Sequence, residues 1–152
     1  MLRQQETTLL NNLFKAHDDR SAQGIGLVRI GVALIILMHP LHGFIHYNDI
    51  AAFGEYLGSL GYPFGVALAW IVLILQTTCS LALLANRYVV PACIGHIVVV
   101  SFGLVHFHYP NGWFVVGGGT GGMEWPIILL VCLFGVLWAY WPQHLRRSAA
   151  ER

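Results

Sequence analysis

Two long apolar runs joined by a very short turn decide the fold. Residues 65–108 read GVALAWIVLILQTTCSLALLA, then NRY, then VVPACIGHIVVVSFGLVHFH. Arg87, in that turn, is the only Asp, Glu, Lys or Arg between Glu55 and Glu124. Each run has the roughly 20 residues that a helix needs to cross the hydrocarbon core of a bilayer. This stretch therefore predicts two membrane-spanning segments with a tight reverse connection.

Two further apolar runs flank this pair. The four predicted spans are residues 24–46, 65–85, 89–108 and 124–141. All four should be helices, because lipid supplies no water to hydrogen-bond exposed backbone. We predict an all-α fold, a polytopic membrane four-helix bundle that forms a single membrane domain over residues 1–152. The polar tails, 1–23 and 143–152, lie outside the bundle in this interpretation.

The composition of the chain supports the same class. Of its 152 residues, 57% are hydrophobic and 10% are charged, and the mean hydropathy is +0.65. With this composition, a soluble protein of 152 residues would have too few polar residues to cover its surface. The composition therefore indicates an integral membrane protein in contact with lipid. The chain has no basic stripe with interleaved aromatic residues, which argues against nucleic acid as a partner.

A short interfacial helix is predicted between the first two spans, within residues 49–63. Ile50, Phe53, Leu57 and Leu60 recur at spacings of three and four, so they share one helical face. The Gly-Tyr-Pro sequence at 61–63 ends this helix and turns the chain back toward the membrane.

The basic residues predict which way the chain crosses the membrane. All eight Lys and Arg residues fall in the two tails, at the start of the first span or in the 86–88 turn, and none falls in the other two connections. The positive-inside rule therefore places both termini in the cytoplasm. We expect a multi-pass protein of a bacterial-type cytoplasmic (inner) membrane.

Histidines cluster on the predicted outer side. His39, His42 and His46 fall within a sector of roughly 60° on a helix, so they share one face. His106 and His108 reach the same depth at the end of the third span, and their spacing predicts that one of them faces the first helix. Polar groups at membrane depth usually face a bundle interior or cavity, which favours a ligand site.

Other polar and aromatic residues complete the predicted site. Glu124 opens the last span at the depth of the histidines, where it favours its own helix N-terminus and is placed to pair with a histidine. The predicted ligand-binding residues are His39, His42, His46, Gln76, His106, His108, Asn111, Trp113 and Glu124. One alternative is that the histidines are interfacial and bond only to carbonyls and lipid headgroups. Another is a metal site formed by His42, His46 and His106, since imidazole is a common metal ligand.

Three features inside the predicted spans receive simpler interpretations. Arg29 is expected to extend its side chain toward the inner headgroups. His96 is a conceivable haem ligand, although no second histidine lies at its depth. The three cysteines show no Cys-x-x-Cys pairing and are expected to pack as small apolar residues.

The order of these elements resembles the DoxX family of small four-helix membrane proteins. The matching features are Arg29 and Gly31, His42-Gly43, Phe53 with the Leu-Gly-Tyr-Pro sequence at 60–63, Arg87, the segment 106–114 with Asn-Gly-Trp-Phe, and the Gly-rich stretch before Glu124. The resemblance covers residues 24–142. Where many members carry a glutamate in the second helix this chain has Gln76, and where a lysine often follows His-Gly by three residues it has His46.

The resemblance implies association with membrane oxidoreductases, including thiosulfate:quinone oxidoreductase subunits. The expected function is therefore a membrane subunit that binds quinone, or couples a redox partner subunit's electrons to the quinone pool, through the outer His and Glu residues. The alternatives are a copper, iron or haem protein and a non-catalytic assembly or anchor subunit. Whether the chain is itself an enzyme stays open, and a homo-oligomer is compatible with so small a bundle.

Overall fold

The computed structural model describes residues 18–142, and these form five α-helices and no strand. The helices are α1 (Asp18–Ile45), α2 (Tyr47–Ser59), α3 (Gly65–Leu84), α4 (Val89–Gly103) and α5 (Glu124–Tyr140). A π-helical turn, Leu104–His108, and a 3-10 turn, Tyr109–Asn111, extend α4. The predicted all-α membrane fold is confirmed. The predicted tails lie largely outside the described residues.

The four long helices form a ring in which each packs on two others. α3 contacts α1 and α4, and α5 contacts the same two helices from the other side. α1 and α4 share no contact, so they lie diagonally across the bundle. We call the end with residues 18–24, 85–88 and 140–142 the tail end, and the end with residues 46–64 and 104–123 the loop end.

The core of the bundle is apolar, and so is its outer surface. Ala33 of α1, Leu83 of α3, Cys93 of α4 and Leu133 of α5 are all completely buried in one cluster. Large aliphatic side chains also cover the outward faces of the long helices. Such a surface matches a lipid environment, in which apolar side chains have no reason to turn inward.

Three of the long helices meet the length expected of a membrane span. These apolar segments are Arg20–Ile45, Gly65–Leu84 and Val89–Asn111. The last helix, Glu124–Tyr140, has 17 residues and therefore extends about 25 Å. It packs along α1 and α4 like a fourth member of the bundle.

α2 lies against α3 through a very close helix crossing. A Cβ added to Gly54 would come within 2.6 Å of the Val66 Cα, and one added to Gly65 would collide with the Gly54 carbonyl oxygen. Ile50 and Leu57, two members of the predicted apolar face, are buried with Ala69 and Leu73 of α3. Leu60, the fourth predicted member of that face, is 39% exposed, because α2 ends at Ser59 before reaching it.

Candidate functional site

The polar residues of the loop end form separate groups, and the first is an exposed surface group. The His42 Nε2 lies 3.2 Å from the Asp49 carboxylate, and these side chains are 61% and 62% exposed. The His46 ring stacks on the His42 ring with centroids 4.2 Å apart. α1 runs unbroken through Pro40 but ends at Ile45, so His46 precedes α2 instead of continuing the predicted helical face.

His39 is not bonded into this surface group. Its side chain is exposed, and within residues 18–142 it forms no hydrogen bond with His42 or His46. The predicted alignment of three histidines is therefore realised as a contacting pair with Asp49.

The second group surrounds His106, which is half-buried. Its Nε2 lies 3.1 Å from the Tyr62 hydroxyl, and its ring centroid lies 4.3 Å from that of Phe102. The Tyr56 hydroxyl donates a 2.9 Å hydrogen bond to the His106 carbonyl oxygen. Tyr56 also contacts Phe107, with centroids 4.5 Å apart. We call His106, Tyr62, Tyr56, Phe102 and Phe107 the aromatic group.

Proline explains the bond from Tyr56. In a regular α-helix the His106 carbonyl would accept from the N–H of residue 110, but Pro110 has no N–H. The chain widens instead into the π-helical turn Leu104–His108, a form found frequently at functional sites. Tyr56, from α2, supplies the missing donor.

The third group closes the long loop before α5. The His108 Nδ1 lies 2.8 Å from the Gly121 carbonyl oxygen, and the Asn111 side-chain amide donates to the Phe107 carbonyl oxygen at 2.7 Å. The Val115 N–H donates to the Glu124 carboxylate at 2.9 Å. These predicted site residues therefore organise the loop backbone.

The structure separates two pairings that the sequence suggested. Glu124 bonds to the Val115 backbone rather than to a histidine. His106 contacts Tyr62 of the α2–α3 connection rather than the first helix. Trp113 is half-exposed on the loop surface, where a headgroup contact is typical of tryptophan.

A further set of polar groups is buried between the long helices, away from the loop-end groups. Gln76 is 5% exposed and His96 is completely buried. The His96 Nε2 lies 3.2 Å from the Ser80 hydroxyl, whereas the Gln76 Oε1 and the His96 Nδ1 have no hydrogen-bond partner. Gln76 is thus an interior residue, one helical turn deeper than Leu73.

Arg29 contradicts its predicted position. It was expected to extend to the headgroups, but its side chain is only 7% exposed. Its Nε and Nη1 atoms are buried without a hydrogen-bond partner. The arginine therefore turns into the bundle.

The alternative metal site is not assembled. Among the residues from 18 to 142, no three His, Cys, Asp or Glu side chains lie close enough together to hold a metal ion. His42 and His46 belong to the surface group, whereas His106 belongs to the aromatic group. Cys79 and Cys93 are free and buried, in agreement with their expected packing role.

Sequence reasoning did not select Tyr56 and Tyr62, the two tyrosines that contact His106. One signal was present, since a proline four residues after His106 leaves that carbonyl in need of another donor. Tyr56 follows Phe53 by three residues and so lies near the apolar face of α2.

Comparison with known proteins identifies the family. The model of the DoxX family matches residues 24–109, which is more than half of the chain. That range includes all of the aromatic group and stops before Glu124. No match was found among curated proteins or among solved structures.

Proposed function

Because the chain belongs to the DoxX family, we propose that it is a membrane subunit that binds a quinone in the aromatic group and couples a redox partner's electrons to the quinone pool. One observation carries the proposal: the His106 Nε2 and the Tyr62 hydroxyl lie 3.1 Å apart among aromatic rings. Ligand sites of this kind combine apolar walls with a few converging polar groups.

One tautomer of neutral His106 would be suited to donate a hydrogen bond to a quinone carbonyl. A neutral His106 that accepts the Tyr62 proton at Nε2 carries its own proton on Nδ1. That N–H would donate to the carbonyl oxygen of a bound quinone, while the Phe102 and Phe107 rings offer flat apolar surfaces to the quinone ring. The half-buried position of His106 also matches a ligand that arrives from lipid and exchanges protons with water.

The proposed reaction needs a redox partner as the source of electrons. Reduction of a quinone to a quinol takes two electrons and two protons. In this proposal a redox partner subunit supplies the electrons, and His106 and Tyr62 pass protons from water at the loop end. The surface group, which is exposed and contains Asp49, would face that partner or the water and need not touch the quinone.

The charge distribution supports a sidedness for this proposal. Arg20, Arg29 and Arg87 all lie toward the tail end, and the loop end has no Lys or Arg between residues 46 and 64 or between 104 and 123. By the positive-inside rule the tail end would face the cytoplasm of a bacterial-type inner membrane. The quinone site would then lie in the outer leaflet.

A binding titration tests the proposal directly. The full chain in lipid nanodiscs would be titrated with decylubiquinone, and quenching of tryptophan fluorescence would be measured. We expect saturable binding that His106→Ala weakens about tenfold, since loss of one hydrogen bond to a ligand costs on the order of 1 kcal/mol. Tyr62→Phe should weaken it less, because it removes the contact that orients His106 and not a bond to the quinone.

His42→Ala is the matched control, because His42 is an exposed histidine at the same end of the bundle. It should leave the affinity unchanged. Absence of saturable binding to the wild-type protein would refute the proposal. Equal loss in the His42→Ala variant would assign the ligand to the surface group instead.

A further inference from the structure

We infer that the tail end of the bundle holds a second site, which binds the phosphate group of an acidic phospholipid through Arg29. This site is independent of the quinone proposal. Its starting point is the 7% exposure of Arg29 and the lack of any hydrogen-bond partner for its Nε and Nη1. Arginine stays charged in proteins, so this is a buried and unpaired cation.

Such a cation requires an anion. A buried charge without a partner is strongly destabilising, and ionisable groups at membrane depth are normally paired. Guanidinium N–H groups form strong, charge-assisted hydrogen bonds with phosphate oxygens, and the Arg29 Nε and Nη1 lack any other partner. The predicted extension of Arg29 toward the inner headgroups does not occur, because the side chain is only 7% exposed.

The described chain offers no carboxylate at the depth of Arg29. Asp49, Glu55 and Glu124 all lie at the loop end. Asp19 is ten residues before Arg29 in α1, a separation of about 15 Å along the helix axis.

Helix register places Arg29 where lipid phosphates are found. Gly43 of α1 meets Leu73 of α3, and the two helices run in opposite directions. Arg29 is fourteen residues from Gly43, so it lies about 21 Å closer to the tail end and level with the turn at residue 87. Helical side chains lean toward the helix N-terminus, so the buried Arg29 side chain is inclined toward the tail end of the bundle.

Other groups at the same depth favour an anion. Arg87 is exposed in the turn, and α4 begins beside it with no side-chain cap, leaving the N–H groups of Val89 and Val90 without helical acceptors. An open depression of about 290 Å³ lies there. It is lined by Asn86, Tyr88, Val89, Val90, Pro91 and Tyr140. Arg29 does not line this depression, so Arg87 and the start of α4 add positive charge at this depth without sharing the phosphate proposed for Arg29.

Lipid-dependent stability tests this inference. The full chain would be reconstituted in phosphatidylcholine nanodiscs, with or without phosphatidylglycerol, and its melting temperature measured. Phosphatidylglycerol should raise the melting temperature of the wild-type protein by several degrees. Arg29→Gln should abolish that rise and, in phosphatidylcholine alone, melt above the wild type because it removes an unpaired buried charge.

Arg20→Gln is the matched control, since Arg20 is an exposed arginine of the same helix. It should keep the response to phosphatidylglycerol. An unchanged response in Arg29→Gln would overturn the inference, and so would an equal rise produced by inorganic phosphate in phosphatidylcholine, which would identify a site for free anions.

Native mass spectrometry gives a second measurement if Arg29→Gln does not fold. Wild-type protein released from mixed nanodiscs should retain phosphatidylglycerol in preference to phosphatidylcholine, and Arg29→Lys should retain less, because lysine lacks the bidentate geometry. Equal retention of the two lipids by the wild-type protein would overturn the assignment. A Glu6→Gln/Glu151→Gln variant tests whether carboxylates of the tails pair with Arg29 instead. If the difference in lipid retention between the wild-type and Arg29→Lys side chains disappears in that variant, the assignment is overturned.

Discussion

His42 and His106 are imidazoles at the same end of one bundle, and each has one side-chain hydrogen-bond partner. The partner of His42 is a carboxylate, and both side chains are more than 60% exposed. The partner of His106 is a phenol, and rings from α4 and the α2–α3 connection surround the pair. Water competes with the first contact and is partly excluded from the second, so two contacts of similar length differ in their capacity to hold a ligand.

The largest effect on this comparison should come from α2, which contributes to both groups. Gly65→Ala places a methyl group on the Gly54 carbonyl oxygen, backbone that no side-chain rotation can move. We expect a loss of at least about 3 kcal/mol of folding free energy or failure to fold. The loss of stability would be measured by heating the protein and quantifying the fraction that stays folded by fluorescence-detected gel filtration.

Gly58→Ala is the control for that experiment. Gly58 lies in α2 near the same helix crossing, with nothing within 4 Å of the added Cβ, so this variant should match the wild type. Similar melting of the Gly65→Ala and wild-type proteins would show that the α2–α3 crossing is looser than its backbone contact indicates.

An intermediate effect is expected for the hydroxyl that supports the His106 backbone. Tyr56→Phe leaves the His106 carbonyl without its donor, because Pro110 cannot replace it. The expected cost is about 1–2 kcal/mol. A double-mutant cycle with Pro110→Ala would measure the coupling, since alanine restores an N–H at position 110.

The expected sign of the coupling energy between the two substitutions follows from this argument. Tyr56→Phe should cost less in the Pro110→Ala background than in the wild type. Equal costs in the two backgrounds would mean that the tyrosine hydroxyl does not compensate for the proline.

The smallest effect should come from the surface group. Asp49→Asn removes the charge next to His42, and exposed pairs of this kind contribute little, so the change should stay within about 0.5 kcal/mol. Chemical denaturation of the Asp49→Asn and Tyr56→Phe variants side by side would rank the two groups. A cost for Asp49→Asn as large as that for Tyr56→Phe would remove the distinction between them.

The long helices could be predicted from the sequence because the thickness of the bilayer sets the length of an apolar segment that crosses it. α3 was predicted at 65–85 and lies at Gly65–Leu84. His42 and His46 also contact each other, although α1 ends between them and the predicted helical face does not continue to His46. The position of such a helix depends only on one segment of the sequence and on the lipid around it.

The arrangement of the site depended on contacts between segments. Tyr62 reaches His106 across 44 positions of sequence, and no periodicity within α2 or α4 encodes that pairing. The π-helical turn rotates the residues at the end of α4, so directions drawn for a regular helix do not apply there. The burial of Arg29 likewise depends on the helices packed against α1, whereas the sequence showed only a long basic side chain near the end of a predicted span.

The short fifth helix has a consequence for the surrounding bilayer. Its two exposed tryptophans, Trp125 and Trp138, are thirteen residues apart, about 20 Å along the axis. The apolar segment of α1 beside it has 26 residues, or about 39 Å. If both tryptophans lie at the membrane interfaces, we expect the hydrophobic mismatch to be relieved by tilting of α1 and by thinning of the lipid next to α5. We therefore expect greater thermal stability in bilayers of shorter acyl chains, and the reverse order in a chain-length series would argue against such thinning.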